Sequence, residues 1–130
     1  MASNEYSIVT EDRRHSLCNI TSGKISTLPP ITHVVLGNGG LNEDGTVRTP
    51  DARQTALVNE LARYQVGTPQ YPIPTTARYV VTVPEDELVG EVITEAALAD
   101  SEGNLCAIRN MLPKGKDDGV EFTIPFYDEV

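Results

Sequence analysis

The chain has 130 residues, 39% of them hydrophobic and 22% charged, and 19 acidic against 10 basic residues give a formal net charge of -9. One domain of that length buries roughly 65 to 70% of its unfolded surface, and a surface of that sign repels nucleic acid and anionic lipid. Aromatic residues make up 5% with no Trp, so the core is expected to be aliphatic, and no apolar run approaches the roughly 20 residues that cross a bilayer.

In chain order, Met1 to Glu5 reads as a fraying polar terminus, and Asn4, Glu5, Glu11 and Asp12 are unlike a secretory leader. Folding in a cytoplasm is the expectation. Thr10 is placed to cap a helix whose first turn carries Glu11 and Asp12, Leu17 and Ile20 share a face, and Gly23 stops it. The predicted helix is Glu11 to Ser22. Arg13, Arg14 and His15 are the one basic cluster and read as a solvated face. Ile31 to Leu36 is rich in β-branched residues and predicts a strand running into Gly37-Asn38-Gly39-Gly40. A long loop follows through Arg48.

Thr49-Pro50-Asp51 carries the marks of a helix start, and Leu57, Leu61 and Tyr64 follow at i, i+4 and i+7, so a second helix is predicted from Pro50 to Gly67. Thr68 to Thr76 holds Pro69, Pro72 and Pro74 and predicts an extended tether without a regular ladder. Arg78 to Val83 alternates as a half-buried strand. From Gly90 to Asn110, the apolar runs Val92 to Ala99 and Leu105 to Ile108 flank Asp100-Ser101-Glu102-Gly103-Asn104, which predicts a β-hairpin with Val92, Leu98 and Leu105 packed inward. Leu112 to Gly119 reads as a polar loop. Val120 to Val130 closes as a strand whose Pro125 cannot donate to a ladder, which argues for an edge. The sum is an α+β chain, a mainly antiparallel β-sheet or sandwich with two helices in the N-terminal half, in a single domain over residues 1–130.

Chemical signatures are thin. His15, Cys18, His33 and Cys106 fall in separate elements without a CxxC pair, so neither zinc nor a Cys-His nucleophile is expected, and both cysteines read as reduced, buried thiols. The glycine run after the first strand lacks the lysine and the helix of a phosphate loop. Asn42, Glu43 and Asp44 do not follow the alternation of a calcium loop. Glu85, Asp86, Glu87, Glu91 and Glu95 could supply paired carboxylates, but without Trp the chain lacks the usual sugar platform and an acidic face is the simpler reading. Asn19-Ile20-Thr21 matches a glycosylation acceptor by chance. No catalytic residue, cofactor or metal is expected, and the chain reads as no enzyme.

Three segments resemble the phage tail-collar fibre proteins, in the N-terminal region of contractile-tail fibres. Ile31 to Gly39 is similar to that family's strand running into a Gly-Asp/Asn-Gly turn; Gln54-Thr55-Ala56-Leu57 with Asn59-Glu60 to its Q-T-x-L-x-N-E signature; and Glu95 to Asp100 with Gly103 to Ala107 to its E-x-G-L-F-D-x-x-G-x-L-x-A hairpin. Ala97 and Ala99 stand where the family commonly has Gly and Phe. The resemblance is collinear from Tyr6 to Val130 and carries no shaft or receptor-binding tip. It implies a baseplate or collar adaptor that attaches a tail fibre, located in the virion tail, with baseplate and fibre proteins as partners and a homo-oligomer, a trimer, as the assembly. Contact surfaces are expected in the loop Gly37 to Thr49, the tether Thr68 to Thr76 and the edge strand Val120 to Val130. The other reading is a small carbohydrate- or peptide-binding module, which needs a concave aromatic patch from five Tyr and two Phe.

Overall fold

Strands rich in Val, Ile and Ala dominate the molecule. The computed structural model describes residues 6–117, 119 and 121–129. In chain order these form β1 (Ser7–Val9), α1 (Glu11–Thr21), β2 (Ile31–Gly37), β3 (Glu60–Gln65), β4 (Gln70–Ile73), β5 (Thr76–Val83), β6 (Val92–Asp100), β7 (Leu105–Gly115) and β8 (Phe122–Glu129). The strands pair antiparallel in two sheets, ordered β1-β7-β6-β2-β3 and β4-β5-β8. Val34, Leu36, Ala96 and Leu98 from the first sheet meet Val81, Val83, Ile124 and Phe126 from the second in the main core. Residues of opposite parity, Val35, Ala97 and Ala99, turn to the far face of the five-stranded sheet and pack with Leu57, Leu105 and Ile108. β2, β6 and β7 are therefore apolar on both sides.

The α+β expectation with two helices is overturned: the fold is mostly β, and α1 is the one helix among the described residues. The start signal at Asp51 is real but lasts one turn. Its carboxylate accepts from the Arg53 amide at 2.9 Å, an Asx turn, and Gln54 Oε1 accepts from the Asp51 amide at 2.8 Å, the return half of a capping box. The periodicity after it has another cause. The register of β2 on β3 slips between Leu36, opposite Ala62, and Gly37, opposite Glu60, which makes Leu61 the extra residue of a bulge. Leu61, Tyr64 and Val66 then reach the same core, a spacing that imitates a helical stripe. Leu57 belongs to the other face of the sheet.

Three smaller readings also change. The proline tether does form a strand, β4, but as an edge with only Gln70 opposite Arg78 and Ile73 opposite Thr76, which leaves room for Pro72. The start of the supposed loop at Leu112 is instead the end of β7, where Lys114 and Gly115 lie opposite Ile93 and Val92. Val92 is exposed, at the rim of the sheet, while Leu98 and Leu105 are buried as expected.

The hairpin, the Arg78 to Val83 strand, the Glu11 helix with its Thr10 cap and the edge position of β8 stand as read. Asp100 organises the hairpin turn by accepting from the Glu102 and Asn104 amides at 2.9 and 3.0 Å, while Gly103 takes φ 88°. The readings of Met1 to Glu5, Val120 and Val130 lie outside the described residues.

Candidate functional site

The residues of the three sequence segments converge on one side chain. Glu95 on β6 is fully buried, and its carboxylate accepts three backbone amides: Gly39 at 2.7 Å, Val58 at 2.9 Å and Asn59 at 2.9 Å. It joins the central strand to the loop after β2 and to the segment before β3. The neighbouring Thr94 hydroxyl accepts from the Gly40 amide at 2.9 Å, and Asn59 donates its side-chain amide to Asn38 at 2.6 Å. Backbone approaches so closely here that side chains have no space: a Cβ on Gly37 would lie 2.5 Å from the Asn59 carbonyl oxygen, and one on Gly40 2.0 Å from that of Thr94. These glycines serve close approach, not a phosphate. The assembly is a scaffold joint that pins residues 38–59 over the outer face of the larger sheet, where Leu57 is 6% exposed.

A second joint ties the chain's helix to its last strand. Thr10 accepts from the Arg13 amide as the helix cap and donates its own hydroxyl to the Leu105 carbonyl at 2.7 Å. Arg13 then donates twice to Asp128 on β8, at 2.6 and 2.7 Å, with side chains only 15% and 6% exposed. Burial works to lower the Arg13 guanidinium, and the bidentate Asp128 carboxylate outweighs it, so its proton is held above the ordinary value. Arg109 on β7 reaches between the sheets, donating to the Pro125 carbonyl at 3.0 Å with its guanidinium 4.9 Å from the centre of the Phe126 ring; burial pulls it down.

The residues weighed for chemistry stay apart. His15 and Cys18 are exposed on α1, His33 is half-buried on β2 beside the Thr32 hydroxyl, and Cys106 is buried on β7, its thiol pushed by burial up to about 11. The expectation of two buried thiols therefore fails at Cys18, because α1 contributes no fully buried residue. Among the described residues no three His, Cys, Asp or Glu side chains gather as a metal site. Asp44 folds back on its own turn, accepting from the Thr46 amide and hydroxyl, which hold its carboxyl below the ordinary value. Glu85, Asp86 and Glu87 are exposed, and Glu87 accepts from the Tyr64 hydroxyl at 2.9 Å; burial first and this contact second raise Tyr64 to about 12.

What the sequence reading missed is the role of Glu95, placed there among the acidic-face residues. A lone acid inside Val92-Ile93-Thr94-Glu95-Ala96-Ala97-Leu98 was the available signal, since an ionisable group in a two-sided apolar strand requires partners. No helix of the described residues is long and apolar enough to cross a membrane.

Of the surfaces expected to make contacts, the three-stranded sheet carries the largest exposed aromatic and aliphatic side chains of its kind: Tyr71 at 67% and Ile73 at 55% on β4, and Tyr127 at 49% on β8. Arg78 links the outer two, donating to Gln70 at 2.9 Å and to the Tyr127 hydroxyl at 3.2 Å. β4 and β8 are both edges of that sheet. The loop after β2 is exposed from Asn42 to Thr46 and closes on itself through a Leu41 to Val47 bridge.

No curated protein and no solved structure matches the chain. A family model does: that of the phage tail-collar fibre protein, N-terminal, over residues 1–121. With the Gly37 to Gly40 turn, the Asn59-Glu60 pair and the Glu95 hairpin meeting at one joint, the match spans the structural centre of the molecule, and the chain belongs to the phage tail-collar fibre proteins, structural proteins of the virion tail.

Proposed function

We propose that this domain seats a tail fibre on the baseplate or collar of a contractile tail, as an adaptor that works by surface complementarity and catalyses nothing. The observation that carries the reading is the three-stranded sheet. Its β4 edge is exposed along its length and offers itself for strand addition, while the β8 edge already has its Pro125 carbonyl taken by Arg109, and three exposed side chains, Tyr71, Ile73 and Tyr127, lie on the two edge strands. The rest of the molecule is a stiff two-layer scaffold with its loops pinned by buried hydrogen bonds, which suits a part that transmits force. Baseplate and fibre proteins are the proposed partners. A closed ring of identical copies, a trimer, is the proposed assembly, in keeping with the preference of homo-oligomers for point symmetry.

The test is co-expression of the chain with the baseplate and fibre proteins of the same particle, followed by size-exclusion with light scattering. The reading expects a stoichiometric complex that Tyr71→Asp or Tyr127→Asp dissolves while leaving the thermal midpoint of the isolated chain unchanged. A chain that elutes alone and monomeric beside every tail protein would sink it.

A further inference from the structure

A groove runs between α1, the Leu28-Pro29 segment and the turn of the β6–β7 hairpin. Its inner end is a cavity of about 90 Å³ lined by Leu28, Pro29, Ile31, Leu105 and Cys106. Its outer end is an open trough of about 440 Å³ that shares Ser16, Leu28, Pro29, Asp100 and Asn104 with the inner part and adds Glu102. Small-molecule pockets begin at about 300 Å³, so the inner cavity is too small for a sugar or a cofactor. One branched aliphatic side chain fills it.

The charge of the groove says what accompanies that side chain. Asp12 lines the inner part, Glu102 the trough, and Asp100 both. Arg13 is the single cation of the lining, and its guanidinium is closed off by the two hydrogen bonds to Asp128. Asp100 is only 8% exposed; its Oδ1 accepts both turn amides, while Oδ2 takes no donor from the described residues and is not a buried atom, so it is reached from the groove. A carboxylate oxygen that no protein donor holds and that the groove leaves accessible can accept from a partner's cation. A second copy of this chain is a poor source of it, because each copy carries -9.

We propose that the groove receives an extended segment of a different tail protein, which inserts one small aliphatic side chain into the inner cavity and lays an adjacent Lys or Arg against Asp100 and Glu102. The inference names the chemistry of a partner and so rests on the attachment reading, yet it can be tested without a particle.

The experiment titrates the full ¹⁵N-labelled chain with two blocked peptides, acetyl-Ser-Val-Arg-Ser-amide and acetyl-Ser-Val-Gln-Ser-amide, followed by amide chemical shifts. The proposal expects shifts at Ser16, Ile31, Asn104 and Cys106, with the Arg peptide bound about fivefold more tightly than the Gln peptide, as one ion pair at a rim supplies. The difference shrinks when salt rises from about 0.05 to about 0.5 M. Glu102→Gln, on an exposed turn, brings the two peptides closer together, and Ser16→Leu, which fills the junction of the two parts, abolishes both titrations. Shifts confined to other surfaces, equal affinity for the two peptides, or the same shifts produced by concentrating the chain alone would each overturn the proposal. In all three cases the co-purification of whole tail proteins would still stand as a separate result, so the two readings fail separately.

Discussion

Glu95 shows how one side chain can determine the path of a long loop. Its two oxygens hold three amides at 2.7 to 2.9 Å inside the sheet, and an amide side chain cannot replace them, since its NH₂ group would face a backbone donor. Glu95→Gln is therefore expected to cost about 2 kcal/mol, and Glu95→Ala, which orphans all three donors, more; urea unfolding measures both, and an unchanged midpoint would contradict the joint. Cys106 gives the corresponding prediction for pH. Burial raises its thiol from 9.0 to about 11, so between those values the folded chain keeps a proton that the unfolded chain has lost. Stability from this group is then constant below about pH 9 and falls as pH rises toward 11. At pH 8, iodoacetamide followed by mass spectrometry should label exposed Cys18 well before Cys106; equal rates would show that the β7 floor opens.

At the scale of elements, the parts that the sequence discloses are those whose local pattern and tertiary setting agree. The hairpin turn was legible because Asp100 and Gly103 do locally what their residue types favour, and α1 because Thr10, Glu11 and Gly23 are consistent with its two ends. The false second helix had an equally good start at Asp51. What defeated it is non-local: the Val58 and Asn59 amides bond Glu95 instead of a preceding turn, and a bulge at Leu61 gives a strand the spacing of a helix. Partners distant in the chain leave no mark in a local window. The candidate groove was hidden for the same reason, as α1, Leu28 and Asp100 meet only in three dimensions. The helix itself depends on such a contact. Removing Arg13 leaves Asp128 buried and unpaired, so Arg13→Ala is expected to destabilise by about 3 kcal/mol, and the double change Arg13→Met with Asp128→Leu to recover most of it. Thermal unfolding of the two variants decides, and an Arg13→Ala chain as stable as the parent would mean that α1 stands without β8.

For the whole molecule, the two joints explain how a small chain poor in aromatic residues becomes rigid. Glu95 fixes the loops to one face of the five-stranded sheet, and Arg13 with Arg109 links that sheet and the helix to β8 on the other. What remains open is the β4 edge of the three-stranded sheet and the acidic groove, on separate elements. A domain with separate contact surfaces suits a joint between two kinds of partner better than a tip with one receptor. Electron cryomicroscopy of the intact particle tests this most directly. The account predicts density for the two-sheet domain where the fibre meets the baseplate or collar, with the β4 edge of the three-stranded sheet covered by a neighbouring protein. Finding the domain at the free end of the fibre, or finding that edge bare in the assembled tail, would contradict it.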